Sequence, residues 1–370
     1  MKRMVGVDIG TTEVRAIEVA GVDSSGLAII TRVGLSSVAE GSIVAGRIKN
    51  PQGVATALVK ALKRANLPSY GFVVNLSSPD VAMTTLNLPS SVRRDERTSA
   101  IRALGRPLSA ALPLDETILA SQLISSSTTN DGIDINTIAV AGALDSELEI
   151  LKTVCKIAKC KPRAIDFTGV SLIRSLTRSK SASAEIATVV DVGASKTSIS
   201  TRVGPHVRSM RVFPGGGIEL TRSLLASFSG SFENAELAKT KITLPSNSSR
   251  ISTAYSSDDE YKSDSDLTLA ALGSAADVLI DTIAQSIDFD ASTHGSYSQG
   301  VFLTGGTGLL KGFKDKLQQR VGIPVVIGKP WADLERSKRN IDFFNEGKPD
   351  PFLLYRLSNA VGLALWKEPL

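Results

Sequence analysis

The sequence predicts an α/β fold of two related domains facing each other across a cleft, and three observations carry that prediction. The chain has 370 residues, more than one hydrophobic core usually organises. An apolar run, an Asp, a Gly, small residues and a second strand-like run occur twice, as VGVDIGTTEVRAIEV from Val5 and TVVDVGASKTSISTRV from Thr188. A third glycine turn, LTGGTGLLKG from Leu303, sits between a strand pattern and a helix pattern.

The elements follow in order. Met4 to Asp8 reads as a buried strand, Gly10 to Thr12 as a tight turn and Glu13 to Ala20 as the returning strand. Apolar residues at Val54, Leu58, Leu62 and Ala65, with Pro51 near the start and Pro68 beyond the end, predict an amphipathic helix. Strands are expected over Phe72 to Leu76 and Val81 to Leu86. From Ser77 to about Cys160 a mixed block has the size of an inserted subdomain. It holds an Arg-bearing helix (Arg93, Arg94, Arg97, Arg102, Arg106), the segment LPLDE at Leu112 to Glu116, the strand INTIAVAGAL and the helix SELEILKTVCKIA. Asp95 and Glu96 interrupt the arginines and favour a solvated face over a lipid or acidic partner.

The helix IDFTGVSLIRSL leads into the repeated hairpin, followed by RSMRVFPGGGIELTRSLL and the short helix NAELAKTK. Ser246 to Asp266 is rich in Ser and Asp and is expected to be a mobile loop that a protease cuts first. A long helix from about Leu267 to Ile287, the third glycine turn with its flanking strands and helix, and a closing helix LLYRLSNAVGLALWK complete the chain.

Composition limits the function classes. The apolar fraction of 42% and charged fraction of 21% are those of an ordinary globular protein. A formal charge of +5 without dense Lys/Arg tracts argues against nucleic acid as the partner. The start MKRMVGVDIG enters a strand directly, without an apolar leader, and no spanning window is expected, which suggests a cytosolic chain. Two His leave little material for a His-based triad or zinc site. Cys155 and Cys160, five apart on a helix, are expected on different faces, too far apart to bridge.

The repeat itself points to chemistry. Glycine and small hydroxyl residues at a turn let backbone N–H groups approach a phosphate. Two such turns across a cleft can hold both ends of a polyphosphate, with an Asp beside each to orient Mg2+ through water. A strand, Gly-Gly and helix in that order let a helix start lie against a nucleotide.

At these residues the chain resembles the actin-like ATPase superfamily. DIGTTEVRAIEV looks like its first phosphate motif, VVDVGASKTSIST its second and VFLTGGTGLLKGF its adenosine motif. The block inserted after the first helix is similar to the arrangement in the cell-division protein FtsA and the pilus assembly family PilM. LPLDE, IDFTGVSLIRSL, FPGGGIELT, AELAKTK and NAVGLALW resemble PilM specifically, and KEPL stands where FtsA carries a membrane-targeting tail. The resemblance implies an actin-like ATPase fold with an FtsA/PilM-type insertion. Its divisions are 1–76 and 161–203 for the first domain and second phosphate hairpin, 77–160 for the insertion, 204–345 for the second domain and 346–370 for a helix returning to the first.

It also implies ATP and Mg2+ as ligands. Asp8 and Asp191 would organise the metal, and Gly10, Thr11, Thr12, Gly193, Ala194 and Ser195 would surround the phosphates. Glu236 and Lys239, i and i+3 on a helix, would face ribose and adenine, or form an ordinary surface ion pair. Gly215, Gly216 and Gly217 would border the nucleotide, and Gly305, Gly306 and Thr307 the adenosine. Asp166 would orient an attacking water, cap a helix, or both. Lys196 has two readings, toward the nucleotide or toward solvent.

As a function, the resemblance implies a cytoplasmic ATP-binding component of a type IV pilus, secretion or DNA-uptake platform, peripheral to the inner membrane. It would bind the N-terminal cytoplasmic peptide of a PilN-like membrane protein, in a groove between the insertion and the first domain, and reach the membrane only through partners. Pilus assembly ATPases and self-association extend the expected partners, and whether ATP is turned over stays open. The alternative is an FtsA-like filament-forming tether; a sugar kinase would need a substrate-facing Asp in a sugar pocket, which the sequence does not supply.

Overall fold

The computed structural model describes residues 4–104, 108, 112–177, 185–225, 231–244, 264–334, 344–345, 348–349 and 352–367. In chain order the first elements are β1 (Met4–Ile9), β2 (Glu13–Val22), β3 (Ala28–Ser37), β4 (Ile43–Val44), β5 (Arg47–Ile48), α1 (Pro51–Arg64) and β6 (Val73–Leu76). Then come β7 (Val81–Pro89), α2 (Arg97–Leu104), β8 (Thr117–Thr128), β9 (Asp134–Leu144), α3 (Asp145–Ile157), β10 (Ala164–Phe167) and α4 (Thr168–Leu176). The second half holds β11 (Ile186–Val192), β12 (Lys196–Val203), β13 (His206–Pro214), α5 (Gly217–Leu225), α6 (Phe232–Lys241) and α7 (Asp264–His294). It ends with β14 (Val301–Thr304), α8 (Phe313–Val321), β15 (Val325–Ile327), β16 (Ala332–Leu334), β17 (Phe344–Asn345), β18 (Lys348–Pro349), α9 (Leu353–Arg356) and α10 (Ser358–Ala364).

The duplication seen in the sequence is also a duplication of topology. One sheet runs β10-β6-β1-β2-β3-β16, the other β15-β14-β11-β12-β13-β7-β9-β8. In each, a hairpin extended by a third antiparallel strand (β1-β2-β3, β11-β12-β13) gains two parallel strands on its other side (β6 and β10, β14 and β15). The inner strand of each parallel pair, β6 or β14, is apolar and largely buried, as a strand covered on both faces must be, while β10 and β15 form the sheet edges.

Each sheet has its own core. Val7, Val74, Leu58, Leu151 and Val154 form one cluster, so α1 and α3 cover the same face of the first sheet. Ile17, Ile30, Leu357 and Val361 form another, in which the C-terminal helix packs on β2 and β3. Val190, Leu220, Ile280, Ile283 and Leu317 build the core of the second half. Between the halves lies α4. Its Leu172, Ile173 and Leu176 pack on Val189 of β11, while its Ser171 Oγ donates to Asn359 Oδ1 of α10.

The segment 77–160 divides its contacts. Strands β7, β9 and β8 continue the second sheet, joined to it by the pairs Met83↔Met210 and Ala82↔Arg211. Helix α3 belongs to the first core. Two arginines of this segment bind within it: Arg93 pairs with Asp95, and Arg102 donates to the carbonyls of Leu114 and Thr117. Arg106 lies outside the described residues, as does the Ser- and Asp-rich stretch up to residue 263; residues 264–266 begin α7.

Three local expectations are corrected. The helix expected from Ile165 starts at Thr168, because Asp166 sits in β10 opposite Asn75. The closing helix is broken at Leu357 into α9 and α10. The cysteines are nearer than a continuous helix would hold them: α3 stops at Ile157, Lys159 turns left-handed at φ 52°, and Cys160 N–H donates to Cys155 O at 2.9 Å. Both thiols are free and buried, and burial beside Cys160 pushes Cys155 up to about 11. Reactivity needs the thiolate, so they are inert.

Candidate functional site

The two hairpins close in the same way. Gly10 N–H donates to Glu13 O and Gly193 N–H to Lys196 O, each at 3.0 Å. Both pairs lie at the same offset from their Asp, so Asp8 opposes Arg15 across one ladder and Asp191 opposes Ser198 across the other. The hairpin tips meet: Thr11 Oγ1 and Ser195 Oγ are 2.8 Å apart, and Gly46 N–H donates to the same Ser195 oxygen at 3.2 Å. Thr12 is exposed at the rim, and its carbonyl accepts from Val38 N–H.

The charges of the two halves form one group. Asp8 is 6% exposed and accepts from Arg15 Nη1 at 2.8 Å, Asn75 Nδ2 at 3.0 Å and Asn359 Nδ2 at 2.7 Å. Arg15 also reaches Glu13 at 3.0 Å; burial opposes its charge, but Asp8 and Glu13 outweigh burial and hold its pKa above the usual value. Burial and the charge of Asp8 push Asp191 up to about 6, against the pull of Arg15 and Lys196. Burial brings Lys196 down to about 8 while Asp8, Asp191 and Glu147 oppose it. Lys196 turns inward, its Nζ donating to Ser77 O at 2.5 Å, which removes the solvent reading of that side chain.

The remaining motifs lean on the second hairpin. Gly215 N–H donates to Ser195 O at 3.1 Å, Gly217 N–H to Gly193 O at 3.0 Å and Ile218 N–H to Ala194 O at 2.8 Å. A Cβ on Gly216 would stand 2.3 Å from Gly193 O, so only glycine allows this approach. Thr307 is latched twice, by N–H to Val192 O at 3.1 Å and by Oγ1 to Gly193 O at 2.8 Å. Gly305 has φ +86°, and its Cβ would meet Val192 O at 2.4 Å and Asp191 Oδ1 at 2.5 Å; Gly306 beside it faces open space. Lys239 is 5% exposed and donates to Gly217 O at 3.0 Å, Thr221 Oγ1 at 2.8 Å and Glu236 Oε2 at 2.7 Å. The ion pair with Glu236 is buried at its Lys239 end and open to solvent at its Glu236 end, whose side chain is 46% exposed. Burial lowers the Lys239 pKa.

One premise needs correcting. The N–H groups of Gly10, Gly193, Gly215 and Gly217 are used inside the protein, so these glycines shape the loops and leave donation to their neighbours. Both side-chain oxygens of Asp166 have partners of their own. Arg174 Nη1 donates to its Oδ2 at 2.8 Å and Phe167 N–H to its Oδ1 at 2.9 Å, and the same Arg174 nitrogen holds Gly362 O at 2.7 Å. Phe167 occupies the N-cap of α4, without a side-chain cap.

Sequence reasoning missed Arg15, Asn75 and Asn359. The hairpin register offers Arg15, since a turn at Gly10 to Thr12 puts it opposite Asp8. Asn359 arrives from the far end of the chain, and no local pattern announces it.

The donor set suits a hard, hydrated cation better than a caged one. Among the described residues no three His, Cys, Asp or Glu cluster as a metal site. Two carboxylates and two hydroxyls at the tips match Mg2+, which keeps several waters and takes one or two protein carboxylates. Burial, and then the neighbouring Asp8 carboxylate, raise the pKa of Asp191, and both are penalties that a bound cation would relieve.

Comparison with known proteins agrees with this architecture. The sequence pattern of the family described as type IV pilus assembly protein PilM matches residues 6–253, and that of cell division protein FtsA matches residues 188–343. Among solved structures, a PilM-PilN type IV pilus biogenesis complex superposes with a TM-score of 0.72 at 18% identity, covering 98% of this chain and 97% of that one. The ethanolamine utilization protein EutJ from Carboxydothermus hydrogenoformans gives 0.51 at 16% identity, over 99% and 90%. A diol dehydratase-reactivating factor in nucleotide-free form gives 0.51 at 11%, over 99% of both chains. The fold is thus the actin-like ATPase fold, and the chain belongs to the type IV pilus assembly protein PilM family.

Proposed function

We propose that this protein is an ATP-binding component of a type IV pilus, or related secretion or DNA-uptake, assembly platform. In this reading it docks the N-terminal cytoplasmic peptide of a PilN-like inner-membrane protein. The observation that carries the nucleotide half is the meeting of two equivalent Asp-Gly hairpins at Thr11 and Ser195, with a third glycine loop latched to the second hairpin. Asp8 and Asp191 would hold Mg2+ through water, and the ion would neutralise phosphate charge. Thr11, Thr12, Ala194 and Ser195 would take the phosphates, displacing the Thr11–Ser195 bond. Glu236 and Lys239 would border ribose and adenine beside Gly215 to Gly217, with Gly305, Gly306 and Thr307 against the adenosine. We assign Asp166 to positioning α4, since both its oxygens are engaged.

The partner half rests on the PilM-PilN neighbour and on a groove. A narrow cleft of about 20 Å³ lies between the first domain and α3, bounded by Ile43, Ile48, Leu76, Glu147, Leu151 and Lys196. An extended peptide could dock over it and seat an apolar side chain by widening it. Lys196 borders both this groove and the Asp8–Asp191 pair, which would let nucleotide alter how the groove presents itself. Among the described residues no helix is long and apolar enough to cross a membrane, so attachment would run through the partner.

Titration of a synthetic peptide copying the N-terminal cytoplasmic segment of a PilN-like protein tests this. Binding to the wild type, and its loss in Ile48→Glu and Glu147→Lys variants of unchanged circular dichroism, is the expected result. Undiminished binding by both variants would move the groove elsewhere. The FtsA match over residues 188–343 favours a filament-forming tether as the second reading; robust binding of the purified chain to protein-free vesicles would support it.

A further inference from the structure

Strand β8 is the outer strand of the eight-stranded sheet, bonded to β9 on its inner side. Its sequence, TILASQLISSST over 12 residues, holds no charge and no proline. Ala120 to Leu123 and Ser125 to Thr128 are exposed, and Ile118 and Leu123 are 47% and 45% exposed. Long edges are a pairing hazard, and proteins blunt them with lysine, proline, shortness or bulges. Here the register shift between Leu123 and Ser125 is one such device, and Arg102 occupies the carbonyl of Thr117. Ile118 to Leu123 remains an uninterrupted stretch between them.

We propose that β8 is a pairing edge through which two copies of this chain join their sheets about a two-fold axis. The side chains decide the occupant. In such a pair a strand meets itself antiparallel, so residues near the axis face their own copies and any charge there would repel itself. Ser121, Gln122, Ser125 and Ser126 each both donate and accept, so any two of them can pair across the axis. Leu123 opposes Ile138 on the face where Ile138 and Val140 are fully buried, and an added strand would continue that apolar face over its half-exposed side chain. The proposal is independent of nucleotide binding, because the edge lies on the three-strand extension.

Sedimentation velocity of the full chain over a concentration series tests it. The wild type is expected to dimerise, and a Gln122→Lys/Ser126→Lys variant to raise the dimer dissociation constant on the order of tenfold or more, through like charges held opposite one another. Unchanged circular dichroism and melting temperature separate this from misfolding, and Gln122→Lys alone serves if the double variant melts early. A dimer equally tight in the lysine variants overturns the edge as the interface. A wild type that stays monomeric at every concentration overturns the second copy as the occupant, leaving the edge to an extended segment of another protein.

Discussion

Asp8 and Asp191 hold equivalent places in the repeat yet differ in what they do to stability. Asp8 shares part-buried Arg15 with Glu13, so Asp8→Asn removes one of the two carboxylates on that cation and should cost about 2 kcal/mol. Asp191 ionises near 3.8 when exposed and near 6 in the fold. The folded state therefore binds the proton more tightly, and folding is penalised progressively from about pH 4 to 6 and fully above that. Asp191→Asn should stabilise the ligand-free protein at pH 7 by about 2 kcal/mol and leave it unchanged below pH 4, as read from urea melts; destabilisation at pH 7 would contradict the assignment. Asp290 behaves in the opposite sense. Burial would raise its pKa, but hydrogen bonds from His294, Ser209 and Arg208 overcome this and hold it at about 2. Its contribution is present above the unfolded value and lost as pH falls from about 4 to 2, so Asp290→Asn should cost about 2 kcal/mol at pH 7 and progressively less in acid. Neither environment was legible in the sequence, because each is assembled from residues far apart, such as Asp8 and Asn359 or Arg208 and Asp290.

Hairpins and helices with local signals were the legible elements. α1 has Asn50 as its cap, accepting from Gly53 N–H, and Pro51 in its first turn; Asn50→Ala should cost about 1 kcal/mol. What the residues could not announce is where β7 to β9 attach, since a meander that packs on one face reads alike alone or as part of a larger sheet. That junction rests on two ladder pairs and on Met210, which is 1% exposed. Met210→Ala should cost about 3 kcal/mol. Hydrogen exchange should show Ala82 and Met83 losing protection before Val189 and Val190 of the central strand; equal protection would mean the seam is no weaker than the sheet. β10 was hidden for a different reason. Its four residues run directly into α4, and so short a strand leaves no alternation to read.

At the scale of the whole molecule, two copies of one five-strand unit face each other, and α4 packs on both. The related halves were legible because the motifs repeat at the same offsets from Asp8 and Asp191. The contact of Thr11 with Ser195 was not, since it depends on how far the halves are closed. In the proposed reading, a polyphosphate would have to separate the tips to enter and would then bridge them. The most direct test of that claim is thermal unfolding across a Mg-ATP titration for the wild type, Asp8→Asn and Asp191→Asn. A ligand held only by the folded state must raise the melting temperature with concentration. The wild type should show that rise and lose most of it without Mg2+, and both variants should lack it although one starts less stable and the other more. A full rise in both variants would contradict a shared metal and phosphate site between the hairpins.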